Sequence, residues 1–284
     1  MIAVTGATGQ LGRLVIDALL KHIPAAEIVA AVRSPEKAAD LASRGVIIRQ
    51  ADYSRPETLS DALTGVDKLL LISSSEVGQR EAQHKAVISA AKTAGVKLIA
   101  YTSLLHADRS PLSLATEHLA TEAALAHSGV PYVLLRNGWY SENYAASIVP
   151  ALAHGAFIGA AQQGRIASAA REDYAEAAAK VLISDHQAGK VYELAGDDVY
   201  TLADFAAQLS QQSGKAVSYV DLGQEGFAKA LLDAGLPAGL AELLADSDAG
   251  AAQGGLFDDS HVLSQLIGRA TTPISEVIRR ALAQ

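Results

Sequence analysis

Cysteine is absent from the 284 residues, which removes disulfides, thiolate nucleophiles and cysteine-ligated zinc together. Any redox chemistry must therefore run through a bound cofactor. Positive charge is also in short supply: the formal net charge is -8 and no Lys/Arg block occurs, which argues against a general nucleic-acid surface. No apolar run reaches membrane-spanning length, and the first apolar segment starts at Ile2, ahead of which no charged leader fits. These absences predict a cytoplasmic protein that engages neither nucleic acid nor membrane. The histidines at 22, 84, 106, 118, 127, 154, 186 and 261 fall at no ligand spacing and predict no metal site. No repeat or low-complexity domain emerges.

What the chain does have is apolar bulk. Half of its residues are hydrophobic, enough for a substantial core in one large α/β domain or a domain with a smaller appendage. The sequence is organised around its first twelve residues, where a short apolar run meets three glycines and turns into a helical pattern. Residues 2–5 read as a buried strand, 5–9 as a tight turn, and Leu11, Leu14, Val15, Ala18 and Leu19 as the apolar face of a helix opening near Gln10. Gly6, Gly9 and Gly12 stand at GxxGxxG spacing. The first permits the sharp turn, the second lets backbone amides approach a pyrophosphate, and the third lets helix and strand pack closely. A helix N-terminus then presents unpaired N–H donors and partial positive charge to the anion. Strand, glycine loop and helix in that order point to a dinucleotide, with Gly6, Ala7, Thr8, Gly9, Gln10, Leu11 and Gly12 as the cradle.

Strands and helices then alternate without a long linker. Strands are predicted at 27–33, 46–50, 68–73, 97–103 and 132–136, and helices at 35–44, 56–64, 79–94 and 112–128. This βαβα pattern makes a doubly wound, Rossmann-like parallel sheet with helices on both faces. Ligands of such sheets lie outside the carboxyl ends of the strands. There, an NAD-preferring site usually carries Asp or Glu after the second strand, whereas this chain carries Arg33-Ser34. A guanidinium suits a 2′-phosphate, so the chain is expected to prefer NADPH. Arg13 and Lys37 read as solvated charges. Asp52 is placed either to accept from an adenine amino group or to cap a turn. Ser73, Ser74 and Ser75 offer small polar groups for ribose or pyrophosphate contact, and Tyr101-Thr102-Ser103 closes the fifth strand, where many reductases of this architecture keep a catalytic hydroxyl.

These residues, together with the block Ser128-Gly129-Val130-Pro131-Tyr132-Val133-Leu134-Leu135-Arg136-Asn137-Gly138-Trp139-Tyr140-Ser141-Glu142-Asn143, resemble the NmrA-like branch of the atypical short-chain dehydrogenase/reductases. Within it they are most similar to the bacterial NAD(P)H:quinone oxidoreductases of the second type. The resemblance implies an NADP(H)-binding core, a small C-terminal substrate lobe and soluble quinones as acceptors. It also makes a non-catalytic NADP(H) sensor the alternative, because the branch includes regulators. The core is expected at 1–136, with 165–196 returning to it, and the smaller lobe at 137–164 and 197–284. Asn137, Gly138, Trp139, Tyr140, Ser141 and Glu142 are assigned to the cofactor site, Trp139 and Tyr140 as an apolar wall for a flat ring. Asn143 is the candidate catalytic residue, donating to a quinone oxygen. Packing is the alternative for each of these side chains.

The chain departs from the wider superfamily where a Tyr-x-x-x-Lys pair would stand, reading Leu114-Ala115-Thr116-Glu117-His118 instead. Its phenol normally protonates an alkoxide. Hydride addition to a quinone leaves a resonance-stabilised phenolate that water can protonate, so direct hydride transfer by face-to-face positioning is expected. His118 is either a ribose donor or a packing residue. Beyond residue 144, helices are expected at 145–153, 172–184, 201–213, 223–234 and 238–244, and strands at 165–169, 191–194 and 215–220. Thr201 is the predicted N-cap with Asp204 three residues on. Arg171 falls between strand and helix, where it either closes over the cofactor or is a solvated charge, and 246–255 reads as a mobile loop.

Overall fold

The computed structural model describes residues 1–76 and 78–283. The chain runs β1 (Ile2–Thr5), α1 (Gln10–Leu19), β2 (Ile28–Val32), α2 (Ala39–Ser43), β3 (Ile47–Gln50), α3 (Pro56–Ala62), β4 (Lys68–Leu71) and α4 (Arg80–Thr93). It continues with β5 (Leu98–Leu104), α5 (Ala115–Ser128), β6 (Tyr132–Asn137), α6 (Ser141–Ala145), α7 (Ile148–His154), β7 (Ala156–Gly159), α8 (Arg171–Ile183) and β8 (Val191–Leu194). Last come α9 (Leu202–Ser213), β9 (Ser218–Asp221), α10 (Gly223–Asp233), α11 (Ala238–Ala252), α12 (Val262–Ile267) and α13 (Ile274–Leu282).

Two compact units share these elements. The first comprises Met1–Leu104, Thr116–Asn137 and Arg171–Tyr192, the second Leu105–Ala115, Gly138–Ala170 and Glu193–Gln284. The principal sheet has the order β3-β2-β1-β4-β5-β6-β8, and the pairings from β3 through β6 are all parallel. Strands buried on both faces read as unbroken apolar runs. Accordingly every residue of β1, β2 and β5 is buried. Sequence order reverses between β1 and β4, which is the topological switch point where such sheets bind ligands. In the second unit β7 and β9 form a parallel pair, and Tyr144, Phe157, Phe205 and Tyr200 stack as a chain of tilted rings.

Several local expectations need correction. Residues 105–115, read with the core, belong to the second unit, as do 165–170 and 193–196. The helix expected at 145–153 is α7, which starts at Ile148, and the short α6 before it went unread. No strand forms at 165–169, where Ile166 and Ala169 make only isolated bridges to Tyr200 and Tyr140, while β7 went unread. The expected loop at 246–255 is largely the second half of α11. Its Asp and Gly content suggested a loop, but Ala245, Ser247, Asp248, Gly250 and Ala251 are all buried. At Gly250 a Cβ would stand 2.7 Å from Leu112 Cδ1, so the Leu112 side chain would have to shift. Arg171, expected just ahead of a helix at 172–184, is the first residue of α8.

Candidate functional site

In the first unit, β1 delivers the chain into the glycine loop at the switch point. Gly6 has φ +58°, the left-handed region that side chains with a Cβ avoid. Its carbonyl accepts from Gly9 N–H at 2.9 Å. A Cβ on Gly12 would lie 2.3 Å from the Gly6 oxygen and 2.7 Å from Ala7 Cα, so only glycine lets α1 start this close to β1. Gly9 is the N-cap of α1 and supplies no side-chain cap, and the first turn holds no acidic residue. The first amides of a helix have no intrahelical acceptor, which leaves those of Gln10, Leu11 and Gly12 ahead of the first helical bond, from Arg13 N–H to Gly9 O at 3.0 Å. Ala7 and Leu11 are buried, and what they can offer a ligand is backbone.

Two hydroxyls fix the carboxyl edge around this loop. Thr5 Oγ1 donates to Leu70 O at 3.1 Å and accepts from Ile72 N–H at 3.0 Å, stitching the end of β1 to that of β4. Thr102 Oγ1 accepts from Ser73 N–H at 2.8 Å, doing the same between β4 and β5. Ser74 is anchored by α4: its N–H donates to His84 Nε2 at 2.9 Å, its Oγ to Gln83 Oε1 at 2.6 Å, and its carbonyl accepts from Arg80 Nε at 2.8 Å. Ser75 is exposed. At the end of β6, Asn137 is buried with its Oδ1 lacking any hydrogen-bond donor, an unusual cost for a buried acceptor.

Arg33 follows β2 with its side chain 69% exposed, and its Nη1 lies 3.1 Å from Glu76 Oε1. Sequence reading did not single out Glu76, which is far from Arg33 in the chain. Arg13 pairs with Asp40 and donates to Lys37 O, a surface role. Asp52 Oδ1 accepts from Ser54 N–H at 2.9 Å, the turn-capping alternative.

The hydroxyls of 101–103 are not free for acid–base work. Tyr101 is fully buried and its hydroxyl is hydrogen-bonded to His118 Nδ1 at 2.8 Å. Burial pushes its phenol up to about 12. His118 is likewise buried, which with the nearby Arg80 charge pushes its imidazole down to about 3, so it packs rather than reaching a ribose. Ser103 donates to Glu122 Oε1 at 2.5 Å, and Glu122 is bound by Arg136 through Nε at 3.0 Å and Nη2 at 2.7 Å.

Gly138 to Asn143 lie in the second unit, so the structure brings Gly6 through Gly12, Arg33, Ser73, Ser74, Ser75, Asn137 and Arg171 into one unit and the rest of the predicted set into the other. There, Gly138 N–H donates to Leu194 O at 2.7 Å. Trp139 is buried with its ring 6.2 Å from that of Tyr144. Tyr140 bridges to Ala169, and the fully buried Ser141 shares a 2.8 Å hydrogen bond with Ser168. Glu142 and Asn143 are half-buried on α6, Asn143 N–H donating to Tyr140 O at 2.9 Å. The second unit also has a cleft of about 340 Å³ lined by His106, Arg109, Phe257 and Asp258, where His106 Nε2 is 3.1 Å from Asp258 Oδ2. Its charged lining does not match the apolar wall expected for a flat ring. Among the described residues, no group of three or more His, Asp or Glu could hold a metal ion, and no helix is long and apolar enough to cross a membrane.

A family profile described as NAD(P)H-binding matches residues 6–185. Quinone oxidoreductase 2 of Escherichia coli (strain K12) is 63% identical over 98% of this chain and 97% of its own length. The crystal structure of an NADPH-dependent quinone oxidoreductase from E. coli complexed with NADPH superposes with a TM-score of 0.97 at 62% identity, covering 99% of this chain and all of that one. The Citrobacter sp. triphenylmethane reductase complexed with NADP(H) gives a TM-score of 0.95 at 40% identity, again over 99% of this chain and 100% of its own.

Proposed function

The chain belongs to the NAD(P)H-binding, NmrA-like family, and from that premise we propose that it is an NADPH-dependent quinone oxidoreductase. The observation that carries the cofactor half is Gly12. No side chain fits there, and the packing it allows brings an uncapped helix N-terminus up to the sheet's switch point, the arrangement that receives a pyrophosphate. The amides of Gln10, Leu11 and Gly12 would hold that diphosphate, Arg33 would grip a 2′-phosphate with its planar fork, and the buried Asn137 Oδ1, which has no donor, would accept from the bound nucleotide. When bound, NADPH supplies the hydride.

The acceptor half follows from what the site does not contain. Tyr101 is fully buried with its hydroxyl engaged by His118, so it cannot reach a substrate as a general acid. A quinone needs none at the moment of transfer: the hydride converts it to a hydroquinone monoanion, and water supplies the one proton that completes the hydroquinone. The protein's contribution is then to hold donor and acceptor in position, with Asn143 as donor to a quinone oxygen.

The test is absorbance loss of NADPH on mixing with a soluble quinone, with NADH in parallel. Consumption that needs both protein and quinone, with Arg33→Ala weakening NADPH and sparing NADH, supports the proposal. Tight nucleotide binding without turnover of any quinone refutes it in favour of a sensor.

A further inference from the structure

We infer that Glu76 determines how strongly the protein distinguishes phosphorylated from unphosphorylated nucleotide, by competing with the 2′-phosphate for Arg33. The inference rests on the nucleotide-binding reading above. Arg33 stands just past β2 and Glu76 on the loop after β4, and these two strands flank β1 in the sheet. Their contact therefore joins the carboxyl ends of the two strands on either side of β1, the strand that leads into the glycine loop.

The Glu76 carboxylate is built into place. While Oε1 faces Arg33 Nη1 at 3.1 Å, Oε2 accepts from Gln83 Nε2 at 2.8 Å. Gln83 is buried on α4, and its Oε1 accepts from Ser74 Oγ, which in turn accepts from Glu76 N–H at 3.1 Å. On the other side, the Arg33 carbonyl accepts from Gln50 Nε2 at 3.4 Å. The acid is thus held by the protein, whereas the Arg33 side chain is mostly exposed and can exchange partners cheaply.

A 2′-phosphate arriving at Arg33 must displace this carboxylate, and afterwards it sits beside a fixed negative charge. An unphosphorylated ribose pays neither cost. Its 2′-hydroxyl can instead donate to Glu76, the part that a carboxylate after the second strand plays in NAD-preferring sites. The Arg33–Glu76 pair therefore gives a graded preference for NADPH, where an isolated arginine would give a steeper one.

Calorimetric titration with adenosine 2′,5′-bisphosphate and with 5′-AMP isolates the effect from turnover. Glu76→Gln is expected to tighten the bisphosphate about 3- to 5-fold, the scale of one exposed charge pair, while leaving 5′-AMP unchanged or weaker. The gain should vanish in Arg33→Ala/Glu76→Gln and shrink at high salt. Glu76→Ser, which also removes the charge, should reproduce it. No change, an equal change for both nucleotides, or a gain that persists without Arg33 overturns the inference. If the unsubstituted protein binds neither nucleotide, the cofactor reading itself falls. If it binds both and is indifferent at position 76, only the role of Glu76 falls.

Discussion

Replacing each glycine of the 6–9–12 series by alanine separates three physical demands. At Gly12 the new Cβ would stand 2.3 Å from the Gly6 oxygen and 2.7 Å from Ala7 Cα. Both obstacles are backbone, so α1 must move away from β1, and overpacking of this kind costs about 3 kcal/mol, the upper end of its usual range. At Gly6 there is room, the nearest atom being Ile72 Cβ at 3.7 Å, but φ is +58°. That strain costs about 1–2 kcal/mol. At Gly9 the backbone is extended, with φ -74° and ψ 168°, and the Cβ meets only the Gly6 oxygen at 3.1 Å. Alanine should be tolerated there to within about 1 kcal/mol. Its methyl nevertheless stands at the helix N-terminus where a diphosphate would approach. Thermal and urea unfolding should rank the losses as Gly12→Ala, then Gly6→Ala, then Gly9→Ala. Titration with NADPH should show Gly9→Ala binding at least about 10-fold more weakly, or about 1.4 kcal/mol, despite near-normal stability. A Gly12→Ala protein with unchanged melting and affinity, or a Gly9→Ala protein that binds NADPH normally, would refute the cradle.

Four further outcomes follow from named contacts. Burial first, and then the Arg80 charge, pushes the His84 and His118 imidazoles down to about 3 from 6.5. Between those values the unfolded chain binds more protons, so their contribution is complete above pH 6.5 and is lost as pH falls, by about 2 kcal/mol each at pH 5. Asp248, pushed up to about 6 by burial, opposes this with about 1 kcal/mol gained on acidification to pH 5; urea melts should therefore show a net loss between pH 7.5 and 5, and equal stability would contradict the assignment. Glu122→Ala removes the bidentate partner of buried Arg136 and should cost about 3–5 kcal/mol, a loss under 1 kcal/mol in thermal unfolding being incompatible with it. Thr201→Ala deletes half of a reciprocal capping box with Asp204 and should cost about 1 kcal/mol by the same measurement. Asn143→Ala should lower kcat/KM for quinone by roughly 10-fold or more with NADPH affinity intact, and unchanged turnover would remove Asn143 from the mechanism.

What could be read in the sequence was whatever local pattern dictates. The strand–glycine–helix start, the alternating elements through β6 and the Thr201 cap are each set by residues within a few positions of one another, and most formed within a residue or two of their expected bounds, α2 and α5 starting four and three residues later than expected. Contacts distant in sequence were not legible. Glu76 reaches Arg33 across the β1 end, and no local signal marks it. The stretch 246–255 failed for a different reason: composition favoured a loop, but Ala245 and Ala251 bury against the second unit's interior, and Asp248 accepts from Ala160 N–H and Tyr144 Oη, both at 3.0 Å. A polar residue that finds buried partners can sit mid-helix, and composition is blind to the partners. Segment 165–169 is extended but makes only single bridges, so periodicity without a neighbouring strand yielded no ladder.

The helix that lacks the Tyr-x-x-x-Lys pair has a different duty, and its contacts say which. Glu117 accepts from Gly78 N–H at 2.9 Å and from Arg80 Nη1 at 3.2 Å, while Arg80 Nε holds the Ser74 carbonyl. Thr121 Oγ1 donates to Glu117 O and contacts His84 Nδ1 at 2.9 Å. Because Ser74 N–H donates to His84 Nε2, that nitrogen is unprotonated. The proton therefore sits on Nδ1 and points to Thr121, and the depressed basicity of His84 keeps this neutral tautomer in place. Positions 117 and 121 of α5 thus grip the loop carrying Ser73, Ser74, Ser75 and Glu76. A network so buried transmits position but cannot exchange protons with a substrate. The helix without the phenol and lysine is therefore not idle: it fixes the loop proposed as the rim of the nucleotide site, and an acceptor that forms a stabilised anion is the chemistry such a rim would serve without an acid.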